Sequence, residues 1–354
     1  MITFTIKHKA QKARGATLKI GDTQIATPAF IPESTGLTLK ATFTDKIPFP
    51  ILYADIYRPM LRPGLEVLKE GGLKDFIGFK GLLFTGGGAS ELAKLAIEKG
   101  TYYKSREEAL DYASYIDGSR KKLSPEVSIR LQKKMGADIF SGLYDFLAGD
   151  SLTRKKIGAA ERRSERWTRR AWDVFKSELR GEKGRDKAFF APITGGAASD
   201  IRTQSARFCM GLDTDGFLQT PAYKNEPRKA YMMTLATTTQ LLPADKPCAV
   251  LSLKNEAEVI EAVRFGADII IADFPVIDGM NGIIYKDGEK LSIKDEKYAA
   301  DKTPFAEDYT LAYLHHLFAA GEILGLTLAV EHNLAYMNKL MSDLRDRIEK
   351  GTLS

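Results

Sequence analysis

The chain has 354 residues, of which 44% are hydrophobic, 28% are charged and 30 are glycine. This composition is typical of a globular protein and excludes a disordered or collagen-like chain. Apolar runs such as 326–330 are far shorter than the roughly 18 residues of a membrane span, so we expect no membrane span. The N-terminus carries Lys7 and Lys9 in an alternating pattern without the apolar core of a signal peptide. Since Cys209 and Cys248 form no disulfide framework, the sequence predicts a cytoplasmic protein.

The net charge of +6 comes from one segment of the chain. Residues 153–187 contain 13 Lys and Arg against 6 Asp and Glu, a local charge of +7. Apolar residues recur there in steps of three or four, which predicts an amphipathic helix with one buried stripe. The opposite face carries five arginines: Arg162, Arg163, Arg166, Arg169 and Arg170. Two interpretations are open, a solvated helix face and a surface that contacts nucleic-acid phosphates.

Short apolar runs alternate with helical patterns along most of the chain. There are eight such runs, at 29–32, 51–54, 82–85, 138–143, 188–193, 216–220, 248–253 and 268–273. Continuous apolar runs are typical of strands that are buried on both faces of a parallel sheet. Eight of them separated by helices predict an α/β fold, a (β/α)8 TIM barrel.

We expect one domain over residues 1–354, built from three parts. Residues 1–28 supply N-terminal antiparallel strands at the base of the barrel, and residues 29–282 form the barrel itself. Residues 283–354 form a C-terminal region in which a polar hairpin around Asp287-Gly288 precedes two helices with apolar stripes.

Several segments along the chain form a recognisable series. They are Ala13-Arg14-Gly15, 27–32, 61–64, 123–126, 136–139, 312–317, 322–325 and 332–334. In order and spacing these segments resemble the tRNA-guanine transglycosylase (queuine tRNA-ribosyltransferase) family. The resemblance implies a barrel with tRNA as its partner in queuosine-type tRNA modification. In that reaction a guanine at the wobble position is exchanged for a 7-deazaguanine.

Two positions at which the family carries catalytic carboxylates differ in this chain. The family's third strand ends in T-D-S-G-G-F, with an Asp for base recognition and proton transfer, whereas here Thr85 precedes Gly86, Gly87 and Gly88. The family's nucleophile is an Asp four residues before a proline, a position that Ile271 holds here. Retaining exchange requires a carboxylate that forms a covalent ribosyl intermediate and a second group that handles the proton. Glycine and isoleucine supply neither group, so the resemblance implies a degenerate site.

The base pocket and the metal site of the family are altered as well. Thr194-Gly195 stands where the family reads Q-G, and Thr220-Pro221 stands where it uses bare glycine backbone. A proline there removes an N–H donor. At the position of the family's C-x-C-x-x-C zinc motif this chain has no cysteine. His332 by itself is expected to be a hydrogen-bonded structural histidine. We therefore expect no bound metal and no cofactor.

The preferred interpretation is a pseudoenzyme, a catalytically degenerate and zinc-less accessory subunit. It resembles the non-catalytic accessory subunit of the eukaryotic queuine enzyme. Its expected partners are tRNA and either a catalytic transglycosylase subunit or a second copy of the chain in a dimer. The basic helix around 162–170 and the terminal Arg345, Arg347 and Lys350 are expected to contact phosphates.

Two alternatives remain. The first is an active transglycosylase with a relocated nucleophile, Asp273, assisted by Asp145 or Asp55. Asp273 lies two residues beyond Ile271 on the same strand face, about 6.6 Å further along at ~3.3 Å per residue. Since a displacement of ~1 Å can cost about a hundredfold in rate, this alternative needs a rebuilt pocket. The second alternative is a barrel with no nucleic-acid role.

Overall fold

A computed structural model of the protein describes residues 2–34, 38–43, 46–68, 71–148, 152–180, 186–306 and 309–353. The strands of this part of the chain are β1 (Thr3–Ala10), β2 (Ala13–Ile20), β3 (Thr23–Thr27), β4 (Ala29–Ser34), β5 (Ile51–Asp55), β6 (Leu82–Gly86), β7 (Tyr103–Ser105), β8 (Leu110–Ala113), β9 (Arg120–Leu123), β10 (Ile139–Ser141), β11 (Ala188–Ile193), β12 (Gly216–Gln219), β13 (Cys248–Leu251), β14 (Ile269–Ala272), β15 (Ile283–Lys286), β16 (Glu289–Ser292), β17 (Pro304–Ala306) and β18 (Tyr309–Thr310). The α-helices are α1 (Tyr57–Leu61), α2 (Gly72–Ile77), α3 (Ala89–Lys99), α4 (Pro125–Lys134), α5 (Arg154–Glu178), α6 (Ser199–Met210), α7 (Arg228–Thr239), α8 (Glu256–Arg264), α9 (Phe274–Met280), α10 (Leu311–Ala320) and α11 (Ile323–Glu349).

Eight parallel strands close into a barrel. Their order is β4, β5, β6, β10, β11, β12, β13 and β14, and β14 pairs back to β4. Each of the eight apolar runs of the sequence forms one of these strands, so the predicted (β/α)8 barrel is confirmed. Side chains such as Ile51, Phe84 and Phe190 fill the interior, which makes the barrel a packed core and not a channel.

A three-stranded antiparallel sheet, β1–β2–β3, lies at the base of the barrel. Its buried side chains Leu18, Ile20 and Ile25 belong to the same apolar cluster as Ala29 and Ile51, which begin barrel strands. The sheet therefore closes the N-terminal end of the barrel. At the opposite end of the barrel the strands terminate in connecting loops, and in (β/α)8 barrels these loops form the functional site.

The basic segment of the sequence forms the long helix α5. Thr153 caps its start, because the Thr153 hydroxyl accepts a hydrogen bond from the backbone N–H of Lys156. The apolar stripe packs inward, with Trp167, Ala171 and Phe175 fully buried. The predicted amphipathic helix is therefore present, and its arginines lie on the outer side.

The C-terminal region combines the expected hairpin, β15–β16, with helices α10 and α11. Helix α11 packs closely on α9: a β-carbon added at Gly279 would lie 2.8 Å from the Cα of Val330. The Nε2–H of His332 donates a hydrogen bond at 2.7 Å to the backbone oxygen of Tyr285, and the ring of His332 packs against that of Phe305 with their centres 4.6 Å apart. In the described residues no helix is both long and apolar enough to cross a membrane.

Candidate functional site

Three carboxylates lie at the C-terminal rim of the barrel. Glu33 lies near the end of β4, Asp55 ends β5, and Asp273 directly follows β14. Because the strands are parallel, these ends meet at the rim where (β/α)8 enzymes carry their catalytic residues. The charges of Asp273 and Asp55 both influence the ionisation of Glu33, so the three side chains are neighbours. Sequence reasoning named Asp273 and Asp55 but missed Glu33, although strand alternation places it on the same face as the interior residue Ile31.

The space beside Gly86 is already occupied. Asp55 and Gly86 are register partners on β5 and β6. A β-carbon added at Gly86 would lie 2.2 Å from the Tyr53 hydroxyl and 2.7 Å from Oδ2 of Asp55. The carboxylate of Asp55 is fixed there, since its oxygens accept hydrogen bonds from the backbone N–H groups of Tyr57 (2.9 Å) and Gly88 (3.2 Å). A carboxylate therefore approaches this position from the neighbouring strand, and Gly86 is the residue that leaves room for it.

Gly87 and Gly88, the other two glycines of this turn, are also closely packed. A β-carbon at Gly87 would lie 2.8 Å from the backbone oxygen of Gly142. Gly88 has a positive φ of 100° and begins helix α3. Residues 86–88 therefore pass so close to neighbouring atoms that a side chain larger than that of glycine would clash there.

Burial sets the ionisation of the rim carboxyls. Burial raises the pKa of Glu33 from 4.5 to about 7, and the Asp273 carboxylate adds to the rise while Lys94 and Lys254 oppose it. Burial also raises the pKa of Glu91 to about 8, although its ion pair with Arg58 acts in the opposite direction. Carboxyls that exchange a proton near neutral pH are suited to general acid or base chemistry.

Ile271 lies in the apolar interior of the barrel. It is fully buried and pairs with Ile31 on β4 and Leu251 on β13. Asp273 lies two residues further along the chain, with its Oδ1 3.8 Å from Nζ of Lys254. The carboxylate of this strand is therefore displaced outward from the position that Ile271 occupies, and it faces a lysine.

Asp145 follows barrel strand β10 and is held by residues outside the barrel strands. Its side chain accepts hydrogen bonds from Ser105 and Arg163, and its backbone N–H donates to Ser164 at 2.9 Å. Burial raises the pKa of Asp145, whereas the bonds from Ser105 and Arg163 lower it. Asp145 thus links the loop after β10 to helix α5 and to strand β7, which belongs to the three-stranded sheet β7–β8–β9.

The altered base-pocket positions take part in an internal hydrogen-bond network. The Thr194 hydroxyl donates to the buried Glu161 of α5. The guanidinium of Arg202, which is fully buried, donates to the backbone oxygen of Thr220 at 3.0 Å. A β-carbon at Gly195 would lie 2.7 Å from the backbone nitrogen of Arg202. Sequence reasoning missed Glu161 and Arg202, because the pairing joins residues from different helices and strands. Pro221, next to Thr220, is likewise buried.

Three of the five arginines predicted to contact phosphates are ion-paired. The pairs are Arg163 with Asp145, Arg166 with Glu107, and Arg170 with Glu126. The guanidinium of Arg169 lies 5.4 Å from the ring centre of Phe208, and Arg162 is exposed. Carboxylates therefore neutralise three of the five arginines on the outer face of α5, and Arg162 and Arg169 do not belong to these three ion pairs. At the C-terminus Arg345 donates to the backbone oxygen of Pro28 at 2.9 Å.

No group of three or more His, Cys, Asp and Glu side chains in the described ranges is placed to hold a metal ion. His332 has the hydrogen bond described above, and burial lowers its pKa. His315 contacts the backbone oxygen of Ile293 through Nδ1 at 2.9 Å. Packing of Phe305 against His332 joins the β17 strand to α11 in this region.

The fold and the carboxylate-lined rim define an α/β barrel of the kind that carries its chemistry at the C-terminal ends of the strands. A family model described as queuine tRNA-ribosyltransferase matches residues 9–354. Three proteins named queuine tRNA-ribosyltransferase are similar over 99% of this chain. They are those of Zymomonas mobilis (31% identity, 92% of that protein), Novosphingobium aromaticivorans (32%, 95%) and Agrobacterium fabrum (32%, 93%). The chain belongs to the queuine tRNA-ribosyltransferase family, and the resemblance seen in the sequence is confirmed.

Proposed function

We propose that this chain is a catalytically degenerate, accessory member of its family that binds tRNA and acts together with an active family member. The observation that carries the proposal is Ile271, which places a buried hydrocarbon side chain where the family resemblance implies the nucleophile. A retaining exchange needs a carboxylate that bonds to the ribose carbon. An accessory role in tRNA modification is consistent with a cytoplasmic protein.

The base-pocket positions support the same proposal. Thr194 is bonded to Glu161, and Thr220 holds Arg202 through its backbone oxygen. Polar groups that already satisfy one another inside the protein are not available to recognise a base without breaking those bonds. Pro221 in addition offers no N–H donor.

A second candidate function rests on a different observation. Asp55 brings a carboxylate beside Gly86, and Asp273 follows β14 on the same rim. Glu33 lies on β4, the barrel strand between β14 and β5, and the charges of both aspartates act on it. This arrangement favours an active transglycosylase in which Asp273 attacks the ribose and Asp55 handles the departing base. The displacement of Asp273 from the position of Ile271 argues against it.

The experiment is the incorporation of labelled guanine into a tRNA that has guanosine as the first anticodon nucleotide. The purified chain, an active family member and a mixture of both are compared. We expect no incorporation by the chain alone and a lower KM for tRNA in the mixture. Sedimentation of the same mixture shows whether the chain pairs with the active protein or with a second copy.

The Asp273→Asn and Asp145→Asn variants form a matched pair for this assay. Both remove one carboxylate, but Asp273 neighbours Glu33, whereas Asp145 is bonded to Ser105 and Arg163. Incorporation by the chain alone that disappears in Asp273→Asn and persists in Asp145→Asn would replace the accessory proposal with the second candidate.

A further inference from the structure

The small antiparallel sheet β7–β8–β9 lies beside the C-terminal rim of the barrel. The Tyr103 hydroxyl donates to the backbone oxygen of Phe146 at 2.8 Å, and Ser105 donates to Asp145. Phe146 and Asp145 both follow β10, so β7 is attached to a loop at the end of a barrel strand. The sheet therefore borders the surface from which any tRNA would approach the rim.

The strand register separates the two faces of this sheet. Leu110 pairs with Leu123, and both are fully buried against the barrel side. The alternate positions form the outer face, because directly paired residues of an antiparallel sheet share a face. On this face lie Lys104, Asp111, Lys122, Arg120 and, through its backbone bond to Ala113, Tyr102.

The outer face carries an excess of positive charge. The strands place three cations, Lys104, Arg120 and Lys122, on this face against the single carboxylate of Asp111, a net charge of +2, and Arg106 follows β7 in the turn that also holds Glu107 and Glu108. Arg106 pairs with Asp111. The other three cations are exposed and, within the described residues, have no carboxylate partner. This contrasts with α5, where carboxylates neutralise three arginines.

An aromatic ring lies within this charged surface. The guanidinium of Arg120 lies 3.6 Å from the ring centre of Tyr102. Tyr102, Arg120 and Lys122 line a groove of about 510 Å³ together with Arg106 and Asp111, and Tyr112 and Lys121 of the inner face border it. Surfaces that bind single-stranded nucleic acid combine cations for the phosphates with a flat ring or guanidinium on which a base stacks.

We propose that the outer face of β7–β8–β9 binds an RNA strand, with Lys104 and Lys122 at phosphates and the Arg120–Tyr102 stack against a base. The proposal rests on the proposed function in one respect, namely that the chain binds tRNA. It differs from the sequence-based expectation by assigning the contact to this sheet and not to α5. Contacts of this kind give affinity and salt dependence without base-edge readout.

The test compares two triple variants of the full chain by fluorescence anisotropy with tRNA over a series of salt concentrations. Lys104→Gln/Arg120→Gln/Lys122→Gln removes three cations from the sheet. Lys155→Gln/Arg162→Gln/Arg169→Gln removes three exposed cations from α5 and is the matched control. At roughly 0.7 per phosphate contact on a single strand, loss of the two phosphate contacts of Lys104 and Lys122 should reduce the slope of log K against log salt by about 1.4 in the sheet variant only.

A single variant separates charge from folding. Arg120→Lys keeps the charge but loses the planar stack on Tyr102, so it should retain the salt slope and bind several-fold more weakly. Equal melting temperatures of all variants exclude unfolding as the cause of a loss.

The outcomes distinguish this inference from the proposed function. Loss of slope in the sheet variant and not in the α5 variant supports the inference. Binding that is unchanged in the sheet variant, or that is lost only in the α5 variant, overturns the inference and leaves tRNA binding intact. The absence of salt-dependent tRNA binding by the unaltered chain overturns both.

Discussion

The pH dependence of stability should reveal the buried carboxyl at the rim. In the folded chain the pKa of Glu33 is raised from 4.5 to about 7, chiefly by burial and secondly by Asp273. A raised carboxyl pKa stabilises the fold fully below pH 4.5, and this contribution is lost as the pH rises through 7. The rise corresponds to about 3 kcal/mol. Since Glu33 is partly accessible to solvent, screening reduces the expected effect to about 2 kcal/mol.

Glu33→Gln removes this titration, because an amide stays neutral at every pH. The unfolding free energy of Glu33→Gln, relative to the unaltered chain, should therefore rise by about 2 kcal/mol between pH 4.5 and pH 8. Denaturant unfolding at both pH values measures it. Glu289→Gln, in the exposed hairpin, is the control and should stay within about 0.5 kcal/mol. A difference between the Glu33→Gln variant and the unaltered chain that is the same at both pH values would refute the reasoning.

Two further predictions concern packing and buried charge. Gly279→Ala places a β-carbon 2.8 Å from the backbone of Val330 and should lower the free energy of unfolding by about 1–3 kcal/mol, measured by denaturant unfolding. Gly158→Ala in α5 is the control, because its β-carbon meets atoms no nearer than 3.4 Å. It should raise the free energy of unfolding by up to about 1 kcal/mol in the same assay. Arg14→Met leaves the fully buried Asp268 without its ion-pair partner and should cost about 3–5 kcal/mol in thermal or denaturant unfolding. An Arg14→Met variant as stable as the unaltered chain would show that Asp268 is not held as an anion by this pair.

The barrel was predictable because its strands are buried on both faces. Continuous apolar runs such as 188–193 cannot be solvated on either side, and eight of them separated by helices leave few other folds. Helix α5 was predictable for a different reason, since the spacing of Trp167, Ala171 and Phe175 fixes one buried stripe on a helix whose other face is polar.

The site was harder to predict because it depends on contacts between distant segments. The pairing of Arg163 with Asp145 and of Arg170 with Glu126 neutralises a surface that looks strongly basic in the sequence alone. The approach of Asp55 to Gly86 depends on the register between two strands, which a single sequence does not specify. Local patterns therefore predicted the elements, whereas the charge balance of each surface required the structure.

If the chain does not itself carry out the exchange, it forms no covalent ribosyl intermediate with tRNA. The purified chain is incubated with tRNA, denatured and analysed by gel electrophoresis and intact-protein mass. We expect a protein mass equal to that of the 354-residue chain and no RNA-linked species. An RNA-linked species that forms with the unaltered chain and not with Asp273→Asn would show that the chain is catalytic and identify Asp273 as the nucleophile.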